Sequence, residues 1–177
     1  SDASVLVSAR EDFREPTNGA GVWRSDDHGD SWRQVVEAPS GCADQRAHGV
    51  AVNPSDGTVY VATSCGLLVS WEGHFFHPVP AANFPAGTAQ QFYSVAFNRN
   101  GLLLVGGEGG IFIARDLGSF GHPPSFDPPS TGLVGTAMKG SSGEMRAAFA
   151  VSPSAGFPNY VVAVTGHVAA RAPEAVN

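Results

Sequence analysis

Carboxylates and guanidinium groups of this 177-residue chain cluster in the segments between its apolar runs. Arg10, Asp12 and Arg14 crowd one such segment. Asp44 and Arg46 stand just before His48, Glu108 falls between two glycine pairs, and Arg146 ends a further connection. Brought to one concave rim, these groups would make a binding mouth. Two carboxylates among Asp12, Asp44 and Glu108, placed on either side of a glycosidic bond, would suit its hydrolysis. Asp26, Asp27 and Asp30 gather the hard oxygen donors that calcium prefers. A turn that ties its own backbone accounts for them better, and no metal is expected. His74 and His77 flank Phe75-Phe76 and read as a hairpin edge. Gly-x-Ser-x-Gly, His-Glu-x-x-His and Gly-Lys-Ser/Thr motifs are absent. Gly106-Gly-Glu-Gly-Gly110 is followed by no helical pattern, so neither a dinucleotide loop nor another cofactor is expected.

Composition narrows the classes. Lys+Arg 10 against Asp+Glu 16 leaves a net charge of −6, and Lys139 is the one lysine. A nucleic-acid binder needs clustered cations to neutralise phosphates, and a polybasic membrane patch needs the same. No apolar run approaches the ~18 residues of a membrane span. Hydrophobic content of 42% and charged content of 15% are those of one globular domain. Gly 22 and Pro 13 make it rich in turns.

The elements that would position these residues are short strands in a repeating order. An apolar strand ends in a turn, a second apolar strand follows, and a glycine opens a third. His48 to Pro54, Thr58 to Thr63 and Gly66 to Ser70 make one such unit. The next runs through Tyr93 to Asn98, Leu102 to Val105 and Gly110 to Ala114, and another through Ala148 to Pro153, Tyr160 to Val164 and Gly166 to Ala170. An opening unit supplies Val5 to Ser8 and Gly21 to Ser25. The glycines at 21, 66, 110 and 166 are spaced by 45, 44 and 56 residues. A period near 45 with three or four strands per unit predicts an all-β propeller of about four blades, at 1–37, 46–80, 92–127 and 145–171 of a single domain, 1–177. A β-sandwich also has short strands at regular spacing, but it would not need the same glycine to reopen each unit. The wider last spacing leaves room in residues 119–143 for an irregular fourth strand and a loop.

One motif is specific. Ser25-x-Asp27-x-Gly29-x-x-Trp32, following Gly21-Val-Trp-Arg, resembles the Asp box, the hairpin motif of sialidase-like, xyloglucanase-like and sortilin-like β-propellers. Its chemistry is structural: Ser and Asp oxygens accept backbone N–H bonds, Gly29 supplies a positive φ, and Trp32 is expected to insert under the turn. Residues 70–76 and 114–120 hold decayed versions. The resemblance implies that this hairpin joins the third and fourth strands of a blade, on the face opposite the active site. The binding face is then the one that carries Arg10, Asp12, Arg14, Asp44, Arg46, Glu108 and Arg146. Phe13-Arg14-Glu15-Pro16 has the letters of the sialidase Phe-Arg-x-Pro motif. It stands nine residues before Ser25, where that family places a whole blade region, and is not taken to be that motif.

Cys42 and Cys65 map to the same face of one blade, so they are expected to form a disulfide. Closing that loop would stabilise by about 3 kcal/mol and point to an extracytoplasmic location. Four blades open at both ends imply part of a larger propeller, or completion by another chain. The expected function is a secreted or surface binding scaffold recognising a glycan or protein through its loop-rich face. The alternatives are a glycoside hydrolase propeller, or a fragment of one, and an assembly factor resembling the photosystem propellers.

Overall fold

The computed structural model describes residues 5–9, 21–36, 46–108, 110–114, 116–127, 145–151 and 161–167, and these are all-β. The first sheet holds β1 (Val5–Ala9), β2 (Gly21–Ser25) and β3 (Arg33–Val36). The second holds β4 (Ala47–Val52), β5 (Val59–Thr63), β6 (Gly66–Ser70) and β7 (His77–Pro78). The third holds β8 (Phe92–Phe97), β9 (Leu103–Gly107) and β10 (Gly110–Ala114), and the fourth pairs β11 (Met145–Val151) with β12 (Val161–His167). Chain neighbours pair antiparallel throughout. A 3-10 turn at Ala81–Asn83 lies between the second and third sheets. No helix among the described residues is long and apolar enough to cross a membrane.

The repeated glycine has a backbone reason. Gly21, Gly66 and Gly110 open β2, β6 and β10 with φ of 140°, 126° and 133°, a region L side chains rarely enter. Each pairs with the last residue of the strand before it: Ala9, Thr63 and Gly107. Gly166 differs from the expectation that it opens a third strand. It lies inside β12, opposite Arg146, because β11 and β12 pair without interruption from Val151↔Val161 to Met145↔His167 and leave no turn there.

The middle strands of the second and third sheets are buried on both faces, which is why β5, β6 and β9 read as continuous apolar runs. Val59, Val61 and Leu68 turn one way and join Val22 of the first sheet. Tyr60, Ala62, Leu67 and Val69 turn the other way, onto Val95, Leu103, Val105 and Phe112 of the third sheet. Leu104 and Ile111 continue the stack toward Phe149 and Val151 of the fourth. The first strands of the four sheets meet in chain order: β1 contacts β4, β4 contacts β8, and β8 contacts β11. Each buried aliphatic or aromatic side chain contributes roughly 1.5–3 kcal/mol.

Phe84, beside the 3-10 turn, stacks on Phe126 at 4.4 Å and on Phe92 at 4.8 Å. Asn83 holds the same tail through Nδ2, which donates to the carbonyls of Pro123 and Pro124 at 3.2 and 2.8 Å. Asp127 then forms an antiparallel bridge to Ile113. This pairing is an isolated bridge and the third sheet keeps three strands, so no fourth strand forms among the described residues. Pro123 and Pro124, just before it, lack the N–H that a longer ladder requires.

Candidate functional site

The sheets have two ends, and the antiparallel order assigns residues to each. One end carries the starts of β4 and β8 together with the β5–β6 and β9–β10 turns. Here Ser64 N–H donates to the Arg46 carbonyl at 3.0 Å, and Glu108 N–H donates to the Gln91 carbonyl at 3.0 Å. These are the same bond in successive sheets, so Arg46 and Glu108 share an end. Both first strands also shift register at their second residue, between Ala47 and Gly49 in β4 and between Phe92 and Ser94 in β8. The extra residues are His48 and Tyr93. Their rings meet across the sheet junction, with centroids 5.3 Å apart and planes at 53°. Tyr93 Oη donates to Gln91 Oε1 at 2.9 Å, which links the ring pair to the Glu108 turn. Bulges concentrate at rims and functional sites because the added residue re-aims a side chain. Gly49, next to the bulge, faces the Ser94 and Val95 backbone at a distance where an added Cβ would make an ordinary van der Waals contact of 3.5 Å.

Arg46 and Glu108 thus lie at the same end of their sheets, and no ion pair joins them among the described residues. Arg146 lies in β11 opposite Gly166, inside the strand. Arg10, Asp12, Arg14, Asp44 and Cys42 lie outside the described residues. Cys65 is disulfide-bonded. Of the carboxylates considered for hydrolysis, Glu108 is the one that is described. The contact between His48 and Tyr93 is one that sequence reasoning missed. The available signal was the broken alternation at the start of each strand.

The opposite end holds the β2–β3 hairpin. Ser25, 1% exposed, accepts from Gly29 N–H at 2.7 Å and donates to Asp27 Oδ1 at 2.7 Å. Asp27 in turn accepts from Ser31 N–H at 2.8 Å and from the Ser31 hydroxyl. Those bonds, the Ser31 hydroxyl foremost, lower the Asp27 pKa from 3.8 to about 2. Asp26 bridges Arg24 at 2.6 Å and Arg33 at 2.9 Å. Asp26 and Asp27 therefore have protein partners, and no group of three or more metal-ligating side chains occurs among the described residues. Trp32 departs from the expectation of burial under the turn. It is 40% exposed and lies against Gly29, where Nε1 donates to the carbonyl at 3.0 Å. The turn is closed by Ser25 and Asp27, so the indole caps it from outside.

Arg24 also reaches the second sheet. Its Nη1 donates to the carbonyls of Glu72 at 3.4 Å and Gly73 at 3.2 Å, clamping the β6–β7 hairpin. There Ser70, the counterpart of Ser25, is fully buried and its hydroxyl has no hydrogen-bond partner. A hairpin one residue shorter brings no backbone N–H to it. Beside this turn Trp71, Glu72, Phe75, His77 and Phe120 line a cleft of about 290 Å³. A shallower apolar groove of about 380 Å³ runs between the ends of β4, β8 and β11, lined by Val52, Pro54, Phe97, Arg99 and Val151. No protein-family model, curated protein or solved structure matches the chain.

Proposed function

We propose that this chain is a propeller-type binding scaffold of the Asp-box kind. In this reading the four sheets are successive blades, further blades or a second chain complete the ring, and the protein works outside the cytoplasm. It holds a glycan or protein ligand at the end of the sheets that carries Arg46, His48, Gln91, Tyr93 and Glu108. The single observation that carries the reading is the pair of equivalent bulges that joins His48 to Tyr93 at 5.3 Å. Two consecutive sheets repeat one irregularity at one level and turn it into a polar aromatic junction beside charged turns. Such a mixture of aromatic and polar groups on rigid strands is what ligand recognition uses. The blade reading is supported by first-strand contacts that pass from sheet to sheet in chain order and by middle strands buried on both faces. A disulfide at Cys65 fits an oxidising compartment.

The test is binding of the purified protein to a glycan array and to immobilised extracellular proteins. His48→Ala, Tyr93→Phe and Glu108→Gln are compared with the wild type. The expected outcome is a ligand whose affinity falls roughly 10-fold in His48→Ala with the unfolding midpoint preserved. A ligand bound equally by all three variants would place the site elsewhere.

A further inference from the structure

The cleft beside the β6–β7 hairpin lies at the other end of the sheets from the proposed rim, and its walls are aromatic. Phe75 is 72% exposed and Phe120 71% exposed, unusual for large apolar side chains held on fixed backbone. The Trp71 ring meets Phe120 at 5.5 Å and 63°, and His77 at 5.8 Å and 40°. Walls set at such angles make a corner rather than a flat platform. Glu72 is the one carboxylate of the lining, and no lysine or arginine belongs to it.

The walls are built into the fold. Phe120 sits at the tip of a two-residue turn closed by reciprocal bonds, Ser119 N–H to the His122 carbonyl and the reverse, each 2.8 Å. Gly118 lets that turn approach: a Cβ there would stand 1.9 Å from the His122 carbonyl oxygen. Across the cleft, Arg24 clamps the Glu72–Gly73 carbonyls from the first sheet. The backbone that carries both walls is therefore tied by hydrogen bonds before any ligand arrives, which lowers the ordering cost of binding.

We propose that this corner is a binding site for a methylated ammonium cation, either a free choline-like solute or the headgroup of a phosphocholine compound. Aromatic faces carry negative quadrupole charge and attract a diffuse cation that is poorly served by hydrogen bonds, and a carboxylate at the rim adds Coulombic attraction. A neutral sugar would gain most from flat stacking, and rings set at 63° and 40° to one another do not form a flat platform. The site does not depend on the proposed rim or on blade closure.

The test is titration of the full chain with choline, phosphocholine and the neutral isostere 3,3-dimethylbutanol, read by the Trp71 indole resonance. Phosphatidylcholine vesicles in a sedimentation assay form a separate arm. Choline and phosphocholine should shift that resonance, with the isostere roughly 10-fold weaker. Phe120→Ala and Phe75→Ala should each weaken choline roughly 10-fold, and Glu72→Gln several-fold, with the unfolding midpoint retained because both phenylalanines are exposed. Co-sedimentation with vesicles would assign the headgroup as the source, and its absence alongside choline binding would assign the free solute. No shift with choline, or an isostere bound as tightly, overturns the proposal.

Discussion

Ser25 and Ser70 end equivalent five-residue strands, β2 and β6, and both are buried, at 1% and 0% exposure. Their hydroxyls have opposite circumstances. Ser25 Oγ accepts from Gly29 N–H at 2.7 Å and Asp27 N–H at 3.3 Å, and it donates to Asp27. Ser70 Oγ has no partner. Ser25→Ala strips an acceptor from two backbone donors in a turn and is expected to destabilise by about 1–2 kcal/mol. Ser70→Ala removes a desolvated hydroxyl that forms no bond, at the loss of one atom's packing, and is expected to stabilise by about 1 kcal/mol. The third sheet already has Ala114 at this position, fully buried. Urea unfolding at neutral pH measures both: the midpoints should move in opposite directions at unchanged slope. Destabilisation by Ser70→Ala matching that of Ser25→Ala would refute the argument, since it would mean that the Ser70 hydroxyl is satisfied in solution.

Asp27 has a folded pKa of about 2 against an ordinary 3.8. Its contribution is present above pH 4 and lost as pH falls through 2, so the gap in urea midpoint between wild type and Asp27→Asn should close over that interval. Tyr60 is buried and its hydroxyl donates to the Leu117 carbonyl at 3.1 Å, so Tyr60→Phe should cost about 1 kcal/mol in the same assay. Burial, then the charges of Asp56 and Asp116, raise the Tyr60 pKa. The stability linked to this group holds below pH 10 and declines as pH rises above it, which phenolate absorbance and unfolding midpoints together report. A Cβ at Gly107 would stand 2.6 Å from Phe92 Cδ1 and 2.7 Å from the Gln91 carbonyl. Gly107→Ala should therefore cost about 1–3 kcal/mol and displace the Glu108 turn, seen as a lower thermal midpoint.

The division into sheets was legible in the sequence because Gly21, Gly66 and Gly110 share a conformation that other residues avoid. Gly166 likewise follows an apolar run, but the β11–β12 ladder runs through it, and the length of that ladder is set by pairing with β11 and not by the residues beside the glycine. The Ser25–Asp27–Gly29 ties were legible because each lies within four residues of its partner. Which side of the turn Trp32 takes was not, since the turn is already closed by shorter side chains. His48 and Tyr93 escaped notice as a pair because a bulge is one residue too many, not a residue type. The aromatic corner joins Trp71 to Phe120 across two sheets, a contact that only the folded tail at 116–127 creates.

Burial of the middle strands of the second and third sheets on both faces also sets where motion can begin. Amides of β5, β6 and β9 have no wet side through which to exchange, so they should open only when the whole stack comes apart. The turns at either end of the sheets, each tied by a few hydrogen bonds, can open locally at a cost below that of the whole stack. Any ligand gripped there would be felt as local protection from hydrogen exchange, with the interior slab acting as an inert anvil.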